Sequence, residues 1–510
     1  MRIGVLDILA LPAQTRGQRI YCELMTRQYA SVTPQAISVW CRRAGHETFY
    51  ATYYGAGDPS RSLPEDLDYL FVACHTHASP LAYAISRWYR QRGTVTVLGG
   101  PHARSFPADC LRWFDLAVWD CDHHLITRIV AGDFAPGSLV ASSDTKIDFP
   151  SVAERMPEIR ASAFDRRGRP FFATTIPLLA SVGCPFKCSF CTDWDNPYRL
   201  LPLDRLDADM DFLAEHLPGT RVAFHDPNFG VKFDQVLDVL ERRPRERCAP
   251  YIMECSLTTL RGERAARLER TRCVTIAPGI ESWEEYSAKA GVGRHKGEEK
   301  VRRLIEQMLQ IGRHVPYIQA NFIFGLDSDG GAAPFELTGV FANATPHVWP
   351  TVNLPIPFGG TPMFDALRAE GRILEAMPFL FYSVPYSVLI YAHYSPEELY
   401  RRAINLLEQC CRPSLTARRL LRGHHLARVV HAVRTIGRRG EILAYRRIHR
   451  MLLDDRQFRA FHEGSDTRLP EFYQQIFDAR LGRWAELIPR DQRAPLLDPI
   501  APEIVSAPAA

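Results

Sequence analysis

The pattern that most restricts this chain is an alternation of short β-rich apolar runs with helical stretches, and it occurs in two successive series. Over residues 1–135 the runs are Arg2–Ile8, Glu47–Thr52, Asp68–Cys74, Thr94–Leu98 and Asp115–Trp119, with helices predicted around Pro34–Ala44, Leu81–Gln91 and His123–Ala131. Strands joined through helices pair in parallel, because only a crossover connection returns the chain to the same end of the sheet. The first series therefore predicts a parallel sheet of the Rossmann or flavodoxin kind. Ligands of such sheets sit beyond the carboxyl ends of the strands. Here those ends carry Asp7 to Leu11, Cys74-His75-Thr76-His77 and Gly99-Gly100-Pro101-His102.

Residues 136–175, rich in Pro, Ser and charge, read as a linker. The second series spans 176–394, with predicted strands Ile176–Gly183, Arg221–His225, Tyr251–Cys255, Val274–Gly279, Tyr317–Phe324 and Thr351–Ile356. Six strand–helix units without hairpin signals predict a partial (β/α)6 barrel, whose chemistry collects on the loops after the strands. From 395 to 510 the pattern is helical, ending in a Pro-rich tail expected to fray. In this region residues 401–450 hold 13 arginines against Glu408 and Glu441. Leu426, Val429, Val430, Val433 and Ile436 follow one helical face, so the segment is expected to pack that stripe on the barrel with its arginines in solvent. A membrane-surface helix and an RNA contact are the competing readings of the same charge.

The N-terminus lacks the basic start and cleavage site of a secretory signal. The most apolar internal stretch, Phe379 to Ala392, is broken by Ser383, Pro385 and Ser387 and is too short to span a bilayer. These features lead to the expectation of a cytoplasmic protein with no transmembrane segment. In a reducing compartment 13 cysteines should be buried apolar residues plus a metal or redox site. Three of them cluster in Ser181-Val-Gly-Cys184-Pro-Phe-Lys-Cys188-Ser-Phe-Cys191. A CxxxCxxC loop can wrap three thiolates around one centre, and soft sulfur ligands select iron–sulfur clusters or zinc. A zinc-ribbon fourth ligand does not follow in the next 30 residues. Three ligands on four irons would leave one iron open to a substrate or cofactor.

With Phe190 just before its third cysteine, this loop resembles that of the radical S-adenosylmethionine (SAM) enzymes. The resemblance implies that Cys184, Cys188 and Cys191 hold a 4Fe-4S cluster whose open iron chelates SAM. Reductive cleavage then yields methionine and a 5′-deoxyadenosyl radical, which requires an electron donor such as a flavodoxin or ferredoxin. Other segments match the family after successive strands: His225-Asp226-Pro227-Asn228-Phe229, Gly279-Ile280-Glu281-Ser282, Asn321 to Leu326, and Pro357-Phe-Gly359-Gly360-Thr361-Pro362. On that basis Asp226, Asn228, Gly279, Glu281, Ser282 and Asn321 are candidate cofactor contacts. For Asp226, Asn228 and Glu281 the competing reading is a loop cap.

The first domain with its Gly99-Gly100 turn resembles the cobalamin-binding domain of cobalamin-dependent radical SAM enzymes. Gly99 and Gly100 would let backbone approach a bulky ligand, and His75 and His77 could face it. The DxHxxG motif of other cobalamin proteins is absent, and Asp120-Cys-Asp-His-His124 replaces a common Gly-Glu-Gly-Glu turn. The implied activity is methyl transfer to an unactivated carbon of a small-molecule, lipid or peptide substrate, with no nucleic acid. Rearrangement or cyclisation on the same two domains is the alternative, and a structural zinc protein is the reading from another class. Cys255 could point into the site as a hydrogen-atom donor, although buried packing is the simpler role.

Overall fold

The computed structural model describes residues 1–142, 148–284, 295–421, 423–497 and 503–506. The first series forms strands β1 (Arg2–Ile8), β2 (Glu47–Tyr53), β3 (Tyr69–Cys74), β4 (Val95–Gly99) and β5 (Leu116–Val118). They pair in parallel in the order 2-1-3-4-5. This is the flavodoxin-like order, in which the switch point lies between β1 and β3. Alternation along each strand feeds two apolar layers. Ile3, Val5, Phe71 and Val97 pack with Trp40 and Ile126 on one face, while Leu6, Ile8, Val72 and Leu98 join Leu81 and Ile85 on the other.

Two segments depart from expectation. The stretch read as a linker contains β6 (Ser138–Ala141), which extends the sheet beside β5, and a helix at Met156–Ala163; residues 143–147 lie outside the described part. Leu139 and Val140 are fully buried, so this short run adds to the core despite its polar surroundings. The tail expected to fray instead returns to the sheet: Ile504–Ser506 pairs in parallel with β6, because an edge strand offers free backbone donors and acceptors. Residues 498–502 and 507–510 of that tail lie outside the described residues.

The second series supplies β7 (Thr175–Leu178), the short antiparallel pair β8 (Ser181–Val182) and β9 (Arg199–Leu200), then β10 (Arg221–Phe224), β11 (Tyr251–Cys255), β12 (Cys273–Glu281), β13 (Tyr317–Ile323) and β14 (Val348–Asn353). The tail strand Ile504–Ser506 completes the set as β15. Six strands form an open parallel sheet in the order β7-β10-β11-β12-β13-β14, a partial barrel. Ile176–Gly183 is not one strand: after Leu178 the chain turns, and the Ala180 N–H donates to Asp226 at 3.0 Å instead of to a ladder partner. Buried Arg155 joins the first domain to the second sheet, its Nη1 donating to Gln35 of the helix Val32–Arg43 at 2.7 Å and to the Pro177 carbonyl of β7 at 3.2 Å.

The Arg-rich helix His425–Asp454 packs differently from the expected stripe. Val429 and Ile436 are 48% and 71% exposed, while Ala427, His431, Arg438, Ile442, Tyr445, Ile448 and Leu452 are buried. The barrel surface it meets is polar and aromatic rather than aliphatic. Arg419 and Arg438 lie over the Trp349 ring at 4.9 and 5.1 Å, Arg434 donates to Gln319 at 2.6 Å, and Arg438 donates to the Pro350 carbonyl of edge strand β14 at 2.9 Å. Several arginines thus close the open edge of the barrel instead of facing solvent, because a ring face and bare carbonyls reward a guanidinium more than a Val side chain. No described helix is long and apolar enough to cross a membrane.

Candidate active site

The three clustered cysteines lie on the loop closed by β8 and β9. Gly183 opens it at φ +70°, and a Cβ there would come 2.2 Å from the Pro197 carbonyl oxygen, so only glycine fits. The Cys184 N–H donates to the Asn196 carbonyl at 3.0 Å and that of Cys191 to the Cys188 carbonyl at 3.0 Å. Two bonds tie the loop to the segment after β14: Trp194 Nε1 donates to the Gly360 carbonyl at 2.6 Å, and the Met363 N–H to the Ser189 carbonyl at 3.0 Å. Cys184 is buried, Cys188 and Cys191 are half-buried, and no cysteine is in a disulfide. The donor set suits an iron–sulfur cluster: three thiols on one loop, at the mouth where parallel strands place their chemistry. Among the described residues no three His, Cys, Asp or Glu side chains converge on the volume of a single ion.

Asp226, two residues past the end of β10, lines neither of the two cavities described below. Its carboxyl is buried and accepts from the Ala180 N–H at 3.0 Å and Ser181 Oγ at 2.5 Å, clamping the chain just before the cysteine loop. Burial pushes its pKa up to about 6, against the pull of those donors. Ser282 is likewise structural, donating to Asp329 at 2.8 Å and accepting from the Glu284 N–H at 3.0 Å.

Asn228, Gly279, Glu281 and Asn321 do come together, around a cavity of about 80 Å³ at the carboxyl ends of β10 to β13, with Glu254, Cys255 and Ser256. Asn228 Oδ1 accepts from the Ser256 N–H at 3.1 Å, whereas its buried Nδ2 has no partner. Glu281 sits at φ +65°, and its Oε1 would be 2.1 Å from a Cβ at Gly279. The carboxylate thus folds over bare backbone. Cys255 is buried and lines this cavity; burial pushes its thiol up to about 12, so it stays protonated. Sequence reasoning missed Glu254, whose place one residue before the end of β11, on the face opposite buried Met253, was the available signal.

A larger cavity of about 420 Å³ lies between the two sheets. The switch-point side contributes Asp7, Ser31, Cys74, His75, Gly99 and Gly100, and the cysteine-loop side Thr192, Asp193, Asn196 and Arg199. Gly100 adopts φ +89°, a left-handed turn that presents backbone to the cavity. His75 lines it and His77 does not. Of the Asp120–His124 turn, Asp120 and Cys121 line the wall, while Asp122 caps the following helix through the Leu125 N–H at 2.8 Å. Asp7 accepts from the Ser31 N–H at 2.9 Å, yet burial raises its pKa to about 7. His225 also lines the cavity with its Nε2 buried and unpartnered, and burial lowers its pKa to about 4. The missed residue Arg104 bridges the two sides, pairing with Asp195 of the cysteine loop at 2.9 Å.

Comparison with known proteins agrees with this geometry. The family model described as the radical SAM superfamily matches residues 178–329. The bacteriochlorophyllide d C-8(2)-methyltransferase of Chlorobaculum tepidum is 27% identical over 325 residues, 60% of this chain and 70% of that protein. The C-12(1)-methyltransferase of the same organism is 23% identical over 320 residues, 61% and 69% of the two chains. Among solved structures, the radical SAM methyltransferase TsrM of Kitasatospora setae, with cobalamin and a 4Fe-4S cluster bound, superposes with a TM-score of 0.53 at 13% identity. That match covers 80% of this chain and 88% of TsrM, and at this identity it establishes a shared fold.

Proposed function

We propose that this chain, whose residues 178–329 match the radical SAM family model, is an enzyme of that superfamily and transfers a methyl group to an unactivated carbon with the help of cobalamin. One observation carries the reading: the cavity at the switch point of the first sheet opens onto the cysteine loop of the second. A ligand held by one sheet would therefore face the cluster held by the other. Methyltransferase relatives support the same reaction class.

Cys184, Cys188 and Cys191 would hold the cluster; Asn228, Glu281 and Asn321, around Gly279, would hold SAM; Gly99, Gly100 and their neighbours would hold cobalamin. Their chemistry, when bound, is a 5′-deoxyadenosyl radical able to take hydrogen from carbon and a transferable methyl group, and the protein supplies binding and orientation. The clamp at Asp226, the turn at Gly183 and the bonds to Gly360 and Ser189 fix where the thiolates stand. Val97 and Val118 give the cavity an apolar wall. Cys255, protonated and at the edge of the SAM-side cavity, is placed to give a hydrogen atom.

The compartment we assign is the cytoplasm, where a chain whose thirteen cysteines form no disulfide is stable and a flavodoxin or ferredoxin supplies the electron. The test is anaerobic reconstitution with iron, sulfide and cobalamin, followed by reduction in the presence of SAM. Methyl transfer predicts both S-adenosylhomocysteine and 5′-deoxyadenosine. 5′-Deoxyadenosine alone would replace it with rearrangement or cyclisation, and a colourless protein retaining zinc would refute the enzyme reading.

A further inference from the structure

At the opposite end of the partial barrel from the cysteine loop lies a cavity of about 1260 Å³. Its rim is built from the starts of β10 to β14 and is roofed by the helix Pro413–Leu421 and the first turns of His425–Asp454. None of the cofactor candidates reaches it. Six guanidinium groups line it, those of Arg221, Arg245, Arg272, Arg313, Arg418 and Arg419, against the carboxylates of Glu246 and Glu269.

Five of the six arginines are held in place by bonds to carbonyl oxygens, and among the described residues none of the six forms an ion pair. Arg221 donates to the Phe172 carbonyl at 3.3 Å, Arg272 to that of Cys248 at 2.8 Å, Arg245 to that of Glu269 at 3.2 Å, and Arg418 to that of Asn343 at 3.0 Å. Arg419, 2% exposed, donates to the carbonyls of Pro346 at 3.2 Å and Cys410 at 2.5 Å, while its Nη2 is buried without a partner. Beside it His431, 1% exposed, has neither ring nitrogen hydrogen-bonded. Burial and the neighbouring Arg419 hold that imidazole neutral, near a pKa of about 3, so it offers one N–H and one lone pair. Carbonyl bonds orient a guanidinium but leave its charge, and a buried polar group left without a partner is costly. An anion in the cavity would relieve both costs at once. Fixed guanidinium forks match phosphate oxygens, and four surplus positive charges call for an anion carrying several negative ones.

We propose that this cavity binds a soluble diphosphate or diphosphate ester. Because buried Arg419 and His431 are part of its lining, the cavity selects a small anion over a membrane surface, which meets only what projects. The site lies apart from the cofactor cavities, so it is a second ligand site whatever reaction the enzyme catalyses.

Calorimetric titration of the full-length protein with inorganic pyrophosphate, at pH 7.5 and physiological salt, tests this. One site per chain is expected. Loss of one charge-assisted contact in Arg221→Gln should weaken it about tenfold or more, and Arg313→Glu, on the exposed rim, should do the same without touching the core. Arg439→Glu, on the solvent face of the long helix, should leave the affinity within about twofold. Absence of binding would overturn the proposal, as would affinity unchanged in the first two variants or lost equally in all three.

Discussion

Replacing Asp226 separates a structural clamp from a cofactor contact. Its carboxyl accepts from two donors, the Ala180 N–H at 3.0 Å and Ser181 Oγ at 2.5 Å, and Asp226→Ala leaves both unmet inside the protein. Hydrogen bonds to a charged group contribute about 1.5–3 kcal/mol each, so the alanine variant should lose roughly 3–5 kcal/mol and bind less iron per chain. The pH dependence has a definite sign. Burial raises the folded pKa to about 6 from the ordinary aspartate value of 3.8, so the folded chain binds more protons than the unfolded one between these values. The contribution of this residue is therefore fully present below about pH 4 and lost as pH rises through 6, a change of about 3 kcal/mol. Asp226→Asn, which keeps one acceptor and never charges, should flatten that slope and lose less stability than the alanine. Urea unfolding from pH 4 to 8, with iron analysis of the same samples, reads both effects. If Asp226→Ala kept stability and iron but failed to bind SAM, the clamp would be refuted and Asp226 would be a ligand contact.

Gly183→Ala must pay about 1–2 kcal/mol for its left-handed backbone before its methyl meets the Pro197 carbonyl; it should lose iron while keeping its far-ultraviolet circular dichroism, and full iron loading would contradict the hairpin constraint. Asn228→Asp keeps the acceptor for the Ser256 N–H but loses the unpartnered amide donor, so SAM affinity measured by equilibrium dialysis should fall about tenfold with iron content unchanged. Asp7, buried with a pKa of about 7, should cost stability as pH rises from 4 through 7, and Asp7→Asn should remove that slope from the urea midpoint.

What was legible in the sequence was local. Strand runs and helical stretches follow from the spacing of apolar residues, and Cys184, Cys188 and Cys191 share a loop because eight residues cannot separate them far. The strand order 2-1-3-4-5 and the joining of the two domains through Arg155, Gln35 and Pro177 depend on contacts between residues distant in sequence, 120 residues apart for Arg155 and Gln35. The stripe at Val429 and Ile436 misled because periodicity assumes an aliphatic partner, whereas Trp349 and the β14 carbonyls draw arginines inward. Asp226 and Asn228 were indistinguishable as motif letters; only the side to which each turns divides a clamp from a cavity wall. Residues 504–506 were unreadable for another reason: Ile-Val-Ser in a Pro-rich tail means nothing until a free sheet edge is beside it.

The claim on which the account rests is that the cavity at the switch point and the cysteine loop face each other and are filled by cobalamin and the cluster. Electron paramagnetic resonance of the reconstituted enzyme, with cobalt(II) cobalamin and the cluster both paramagnetic, measures that arrangement directly. The account predicts spin coupling between the two centres that vanishes when Cys184, Cys188 and Cys191 are replaced by alanine. Two additive, uncoupled spectra, or a cluster-loaded protein that retains no cobalamin, would contradict it.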